Sequence, residues 1–213
     1  MRHLFPICLN LQDRACLVVG GGQVAERKIA SLLEHGAQVR VISNAVTARI
    51  KQWQREKRVE IYIRGFIEED LEGVFLVFIA TNNCEINREI SHLCHRKGIL
   101  INVADDPEAC DFLVPSVLRR GSLQVAVSTE GKSPAYARKL RQELEAIITP
   151  SHGEFVDLLG EVRDFLHGQV PDSSVRKQII ESIVYSDILN LIQVGEKDKA
   201  KEKIRQCMSF WQD

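Results

Sequence analysis

Between the apolar run Ala15–Val19 and an apolar-periodic stretch over residues 24–33, the chain reads Gly20-Gly21-Gly22-Gln23-Val24-Ala25. No other feature restricts the fold so tightly. Gly20, Gly22 and Ala25 satisfy G-x-G-x-x-[GA] at a strand-to-helix junction. Gly20 permits the tight turn, Gly22 lets a pyrophosphate approach the backbone, and Ala25 lets the helix pack closely on the strand. A helix opening here presents unpaired N–H groups, and its dipole favours an anion. Gly20, Gly21, Gly22, Gln23, Val24 and Ala25 are therefore the expected dinucleotide cradle. The plain alternative is a tight glycine turn with no ligand.

The sequence around this loop keeps the same rhythm. Gln38–Ile42 is β-branched and strand-like, and Asn44 is placed to cap a helix over residues 45–58. Residues 59–63 and 75–80 read as further strands, residues 85–97 as a helix and Leu100–Val103 as a fifth strand. Gly36 and Gly98 supply helix stops. This alternation predicts an α/β fold: a Rossmann-type doubly wound parallel sheet over residues 1–113. After Pro107 the pattern changes. Residues 116–119 and 123–128 flank Arg120-Gly121, a hairpin signal. Ser133-Pro134 then reads as an N-cap followed by Pro at the first helical position, opening a helix over 135–148. This α+β stretch, residues 114–149, precedes an all-helical region, residues 150–213, with helices expected at 155–166, 174–192 and 197–208.

Three further positions bear on the cofactor. A dinucleotide fold usually carries an acid about 20 residues past the glycines for the ribose hydroxyls. Here the second strand ends in Ser43-Asn44, so Ser43 or Asn44 takes that role in this reading. Arg40 lies nearby, but within the strand, and NAD is favoured over NADP. Thr81 and Asn82, past the fourth strand, are cofactor-lining candidates. They read equally well as a strand-to-helix turn capped by Asn83. Past the fifth strand stand Asp105 and Asp106, where ligands of open α/β sheets bind. Asp106-Pro107 is an ordinary turn signal, which leaves Asp105 as the chemical candidate.

Charge singles out the next segment. Residues 114–141 hold six basic residues and one acid, Glu130, in a chain of net charge −1. Arg119, Arg120, Lys132 and Arg138, with the helix N-terminus at Ser133, suit a ligand bearing several carboxylates or phosphates. Lys139 and Arg141 read as a solvated face. Nucleic acid is a poor partner, because Tyr136 is the segment's only aromatic residue and the pI is about 6.6. His92, Cys94 and His95 do not make a metal site: the histidines are helical neighbours, Cys94 points elsewhere, and no second cluster completes a tetrahedron. The six cysteines are scattered without a CxxC pair, and reduced thiols are expected. The N-terminus lacks a signal-peptide apolar core, and no apolar run approaches the ~20 residues of a membrane span. The expected protein is soluble and cytoplasmic.

The stretches FPICLNLQDRACLVVGGGQVAERK and NVADDPEACDFLVPSVLRRGSLQVAVSTEGKSPAYARKLRQELE resemble, in order and spacing over residues 5–145, the precorrin-2 dehydrogenases. Some of that family are also sirohydrochlorin ferrochelatases, completing siroheme. The resemblance implies an NAD-binding Rossmann domain, a central dimerisation region and a C-terminal helical domain, assembled as a homodimer. It implies a tetrapyrrole substrate with eight carboxylate side chains, oxidised by NAD to sirohydrochlorin, with Fe²⁺ as a further substrate in chelatase members. The family's essential aspartate falls on Asp105, and its serine before proline at the substrate cleft falls on Ser133. The methyltransferase module fused to some relatives is not expected within these 213 residues. A reading from another class remains open: a nucleotide-sensing binding module without chemistry. Such a module needs the glycine loop but not Asp105 or the basic segment.

Overall fold

A computed structural model describes residues 3–209. The chain divides into two compact units, Met1–Val114 and Pro115–Asp213.

In the first unit, five parallel strands form one sheet in the order β3-β2-β1-β4-β5. They are β1 (Ala15–Val19), β2 (Gln38–Ile42), β3 (Val59–Tyr62), β4 (Leu76–Ile79) and β5 (Leu100–Val103). Three α-helices, α1 (Gln23–Glu34), α2 (Ala48–Arg55) and α3 (Cys84–Lys97), and one short 3-10 helix, Glu68–Leu71 between β3 and β4, connect them. Both faces of the sheet are covered, so the central strands are apolar on both sides. On one face Ala25, Ile29 and Leu32 of α1, with Ile50 and Trp53 of α2, pack on Cys16, Val18, Val39 and Val41. On the other, Ile90, Leu93 and Cys94 of α3 pack on Leu17, Val19, Val77 and Ile101. This is the doubly wound sheet that the alternating pattern predicts.

The register sets up the carboxyl edge. Val19 pairs with Ile42 and with Ile79, and Ile79 pairs with Val103. The ladder runs one residue further: Gly20 N–H donates to the Ile42 carbonyl at 2.9 Å, Ala80 N–H to Val19 at 2.8 Å and Ala104 N–H to Ile79 at 2.8 Å. Residues 43, 20, 80 and 104 thus stand in a row where the strands end.

Helix α2 begins later than a cap at Asn44 predicts. Thr47 is the N-cap, its hydroxyl accepting from Ile50 N–H at 3.3 Å. The intervening residues are held elsewhere: Ala45 lies against Gly21, and Thr47 N–H donates to the Gly21 carbonyl at 3.0 Å.

The second unit holds an antiparallel hairpin, β6 (Ser116–Arg120) and β7 (Leu123–Val127), followed by α4 (Pro134–Ile147), α5 (Pro150–Gln169), α6 (Ser173–Val184), α7 (Ile188–Gln193) and α8 (Lys197–Ser209). The last four share a core that includes Phe155, Val162, Leu166, Ile179, Ile183, Ile188, Ile192 and Ile204. The single helix expected over 174–192 is two, α6 and α7. The reason lies in the spacing of its buried residues. Ile179 to Ile183 and Ile188 to Ile192 are four apart, but Ile183 to Ile188 is five. At about 100° per residue, a continuous helix would turn Ile188 about 140° away from Ile183. The break at 185–187 brings it back to the core, with the Ser186 hydroxyl accepting from Ile188 N–H at 3.2 Å.

Candidate functional site

The glycine loop is shaped by what its neighbours leave room for. Gly20 sits at φ +121°, and a Cβ there would lie 2.2 Å from the Ala80 carbonyl oxygen. A Cβ on Gly21 would lie 2.0 Å from the Ala45 carbonyl oxygen. Gly22, the residue before α1, has no atom of another described residue, its chain neighbours aside, within 4 Å of such a position. Two glycines therefore let chain segments meet, and the third opens onto unobstructed space. Gly22 is exposed, as is Gln23, while Val24 is half-buried and Ala25 fully buried. No side chain caps α1. The first N–H groups of a helix have no intrahelical partner, and a helix start without a side-chain cap is suited to an anion. The residues present thus fit a dinucleotide pyrophosphate.

Beside this loop lies an open groove of about 530 Å³ lined by Gln23, Glu26, Arg27, Thr47, Ala48 and Arg49. Ser43 and Asn44 stand just before it in the chain. The Ser43 hydroxyl donates to the Ala45 carbonyl at 2.7 Å, and Asn44 is exposed. Arg40 points elsewhere, its guanidinium donating to the Glu72 carbonyl at 3.1 Å.

Past β4, the Thr81 hydroxyl donates to Asn87 at 2.5 Å and accepts from Asn83 N–H at 3.2 Å. Asn83 caps α3 by accepting from Glu85 and Ile86 N–H. Thr81 is thus built into the strand-to-helix turn, and Asn82 is exposed.

Past β5, two strand spacings or roughly 10 Å from β1 across the edge, Asp105 is exposed at φ +63°. Asp and Asn tolerate this left-handed conformation better than other side chains. Asp106 caps the short turn Pro107–Ala109, accepting from Ala109 N–H at 3.3 Å. Beneath the loop, buried Cys110 accepts from Val103 N–H at 3.1 Å and donates to the Asp106 carbonyl at 3.2 Å. Burial pushes its thiol pKa up. Asn102, also buried, donates to the Phe112 carbonyl at 2.9 Å. Lys28 of α1 lies 4.8 Å above the Phe78 ring. Burial lowers its pKa, with the neighbouring Cys110 opposing that shift.

Cys110, Asn102, Glu26, Thr47 and Lys28 shape this edge, and sequence reading missed all five. Their partners come from other elements, or from across a loop, so no local spacing marks them.

The second unit carries the basic candidates. Ser133 caps α4, its hydroxyl accepting from Tyr136 N–H at 3.3 Å. Arg120 donates from Nε to the Ile148 carbonyl at 3.1 Å, at the end of α4. Arg119 lies opposite Gln124 on the hairpin. Lys132 and Arg138 are exposed, one on the loop before α4 and one on its first turns. Lys139 pairs with Glu143 and Arg141 with Glu145 along α4. The structure thus gathers Ser133, Lys132 and Arg138 around one helix start and directs Arg120 to a helix end.

Among the described residues, no group of three or more His, Cys, Asp or Glu side chains is placed to hold a metal. Cys94 is buried, its thiol pushed up to about 12, and His95 Nε2 lies 3.2 Å from Asp111. Among those residues, no helix is long and apolar enough to cross a membrane.

A family model described as NAD(P)-binding matches residues 7–116. The chain belongs to that family. A second model, sirohaem biosynthesis protein central, matches residues 120–147. Siroheme synthase of Thioalkalivibrio sulfidiphilus is 37% identical over 204 residues, covering 96% of this chain and 42% of that protein. Siroheme synthase of Neisseria meningitidis serogroup C is 38% identical over 205 residues, covering 94% and 42%. The chain therefore spans less than half the length of these curated relatives. The solved structure of SirC, a precorrin-2 dehydrogenase, matches with a TM-score of 0.81 and 26% identity, covering 97% of this chain and all of SirC. The resemblance drawn from the residues is matched in both units.

Proposed function

We infer that this chain is an NAD-dependent precorrin-2 dehydrogenase, oxidising precorrin-2 to sirohydrochlorin in siroheme biosynthesis. One observation carries the reading. An unobstructed helix N-terminus at Gly22 and an exposed carboxylate at Asp105 stand on the same carboxyl edge of one sheet. The likeness to SirC, over that protein's whole length, supports the substrate class.

NAD, when bound, would supply the hydride acceptor for this oxidation. The chain's own part is to bind, orient and take a proton. The backbone N–H groups at Gly22, Gln23 and Val24 hold the pyrophosphate. Ser43 and Asn44 flank the ribose, with Asn82 as a further lining residue. Asp105 takes the proton that leaves the macrocycle as the hydride departs. Ser133, Lys132, Arg119 and Arg138 are proposed contacts for the substrate carboxylates. Arg120 is tied to the Ile148 carbonyl, so its proposed part is to present that segment.

The reading extends to insertion of Fe²⁺ as a second substrate, in which the same carboxylate would take pyrrole protons. It also includes the three-part organisation over residues 1–113, 114–149 and 150–213, and a cytoplasmic homodimer built on residues 114–145. The β6–β7 sheet has two strands among the described residues, which supports the dimer: no further strand of this chain pairs with the outer edge of Leu123–Val127.

An anaerobic assay tests the proposal: purified protein with precorrin-2 and NAD should form NADH. NAD binding without NADH formation would leave a nucleotide-sensing module instead. The same assay with sirohydrochlorin and Fe²⁺ decides the chelatase activity.

A further inference from the structure

The loop from Ser43 to Thr47 touches the glycine loop at two points, and both fix backbone rather than fill space. The Ala45 carbonyl packs on Gly21, and Thr47 N–H donates to the Gly21 carbonyl at 3.0 Å. The Thr47 hydroxyl donates to Glu26 Oε2 at 2.6 Å and accepts from Ile50 N–H at 3.3 Å. Glu26 sits one turn into α1, with its own N–H donating to the Gly22 carbonyl at 2.9 Å. Thr47 therefore joins three things: the Gly21 peptide, the first turn of α1 and the start of α2.

Peptide planarity gives this joint a consequence. The Gly21 carbonyl and the Gly22 N–H belong to one trans peptide unit, so they point in opposite directions and turn together. Glycine peptides rotate more freely than any others. Holding the Gly21 oxygen against Thr47 stops that rotation and fixes the direction of Gly22 N–H. Gly22 is also the position that opens onto unobstructed space. Glu26 is an unexpected residue at an anion site, since a carboxylate in the first turn competes for the same positive helix end. Its charge-assisted bond to Thr47 gives it a reason to be there.

We propose that Glu26 and Thr47 are positioning residues for dinucleotide binding: their hydrogen bond clamps the Ser43–Thr47 loop onto Gly21 and so aims the Gly22 N–H at the cofactor pyrophosphate. The inference rests on the NAD reading above. Neither side chain need touch the cofactor for the clamp to work.

The test is calorimetric NAD binding to the full chain. Glu26→Gln keeps an acceptor for the Thr47 hydroxyl and should bind NAD within about twofold of the parent. Glu26→Leu removes it and leaves the α2 cap in place. Its NAD Kd should rise about tenfold, its KM for NAD should rise with it, and kcat at saturating NAD should hold. Thr47→Ser should match the parent, and Thr47→Val, which also loses the α2 cap, should raise the NAD Kd at least as much as Glu26→Leu. The double variant Glu26→Leu/Thr47→Val should be no worse than Thr47→Val alone, because the Glu26–Thr47 bond is already lost in that single variant. A folded Glu26→Leu protein with parental Kd overturns the clamp. If that variant does not fold, a parental Kd in Thr47→Val overturns it equally. A parent chain that binds no NAD overturns the cofactor reading itself, a separable result.

Discussion

The two loops at the carboxyl edge are built by opposite means. The glycine loop is shaped by absence: Gly20 and Gly21 let the Ala80 and Ala45 carbonyls come close, and Gly22 leaves space. The loop after β5 is shaped by side chains: Asp106 caps its turn, Cys110 ties it to Val103, and Asn102 holds Phe112. In the proposed function the difference follows from what each presents. A pyrophosphate is bound by backbone N–H groups, so side chains must stay away. A proton is taken by one carboxylate, so a scaffold must hold that carboxylate out. Substitutions should therefore divide sharply between the two loops.

Gly20→Ala should have the largest effect. Its Cβ would lie 2.2 Å from a backbone oxygen, at φ +121°. Urea unfolding should show a loss of about 4 kcal/mol or more. Were the loss under about 1 kcal/mol, the close approach to Ala80 would not be a constraint on the fold.

Gly22→Asp, two residues on, should leave the melting temperature within a few degrees, because a Cβ there meets no other described residue beyond its chain neighbours. It should lower NAD affinity at least ~100-fold by placing a negative charge at the proposed pyrophosphate position. Undiminished affinity in the folded variant would mean that the anion binds elsewhere.

In the other loop, Asp105→Asn retains the left-handed backbone at φ +63°, which Asn also tolerates. NAD binding should stay near normal, with precorrin-2 oxidation down by roughly 10²-fold where proton removal limits turnover. Asp106→Asn should do much less, since an amide oxygen can still accept from Ala109 N–H. An active Asp105→Asn enzyme beside a dead Asp106→Asn enzyme would reverse the two roles.

Cys110→Ala should have the smallest effect. It removes the thiol that accepts from buried Val103 N–H, which costs about 1–2 kcal/mol in urea unfolding. Turnover should fall while the NAD Kd holds, because the glycine loop does not depend on this side chain. A matching loss of NAD affinity would show that the two loops are not separable.

The strands were legible because each is a short apolar run between turn residues: Ala15–Val19, Gln38–Ile42 and Leu100–Val103 all occur where the pattern puts them. The ends of helices were less so. Asn44 and Thr47 are both good caps, and nothing local chooses between them. The choice is made by Gly21, whose carbonyl takes Thr47 N–H. The break between α6 and α7 was present in the sequence as a five-residue step between Ile183 and Ile188. Residues 174–192 carry no Gly or Pro to announce it.

By itself, the sequence determined the parallel sheet, the glycine loop and the position of Asp105, since hydrophobic period and glycine placement are local properties of the chain. The tertiary structure alone decided that Gly20 and Gly21 serve chain packing while Gly22 faces open space. It alone linked Glu26 to Thr47 and put Cys110 under the carboxylate loop. Those facts depend on which carbonyls and side chains arrive from residues 20 to 60 positions away, or from across a turn, and no local spacing records an arrival.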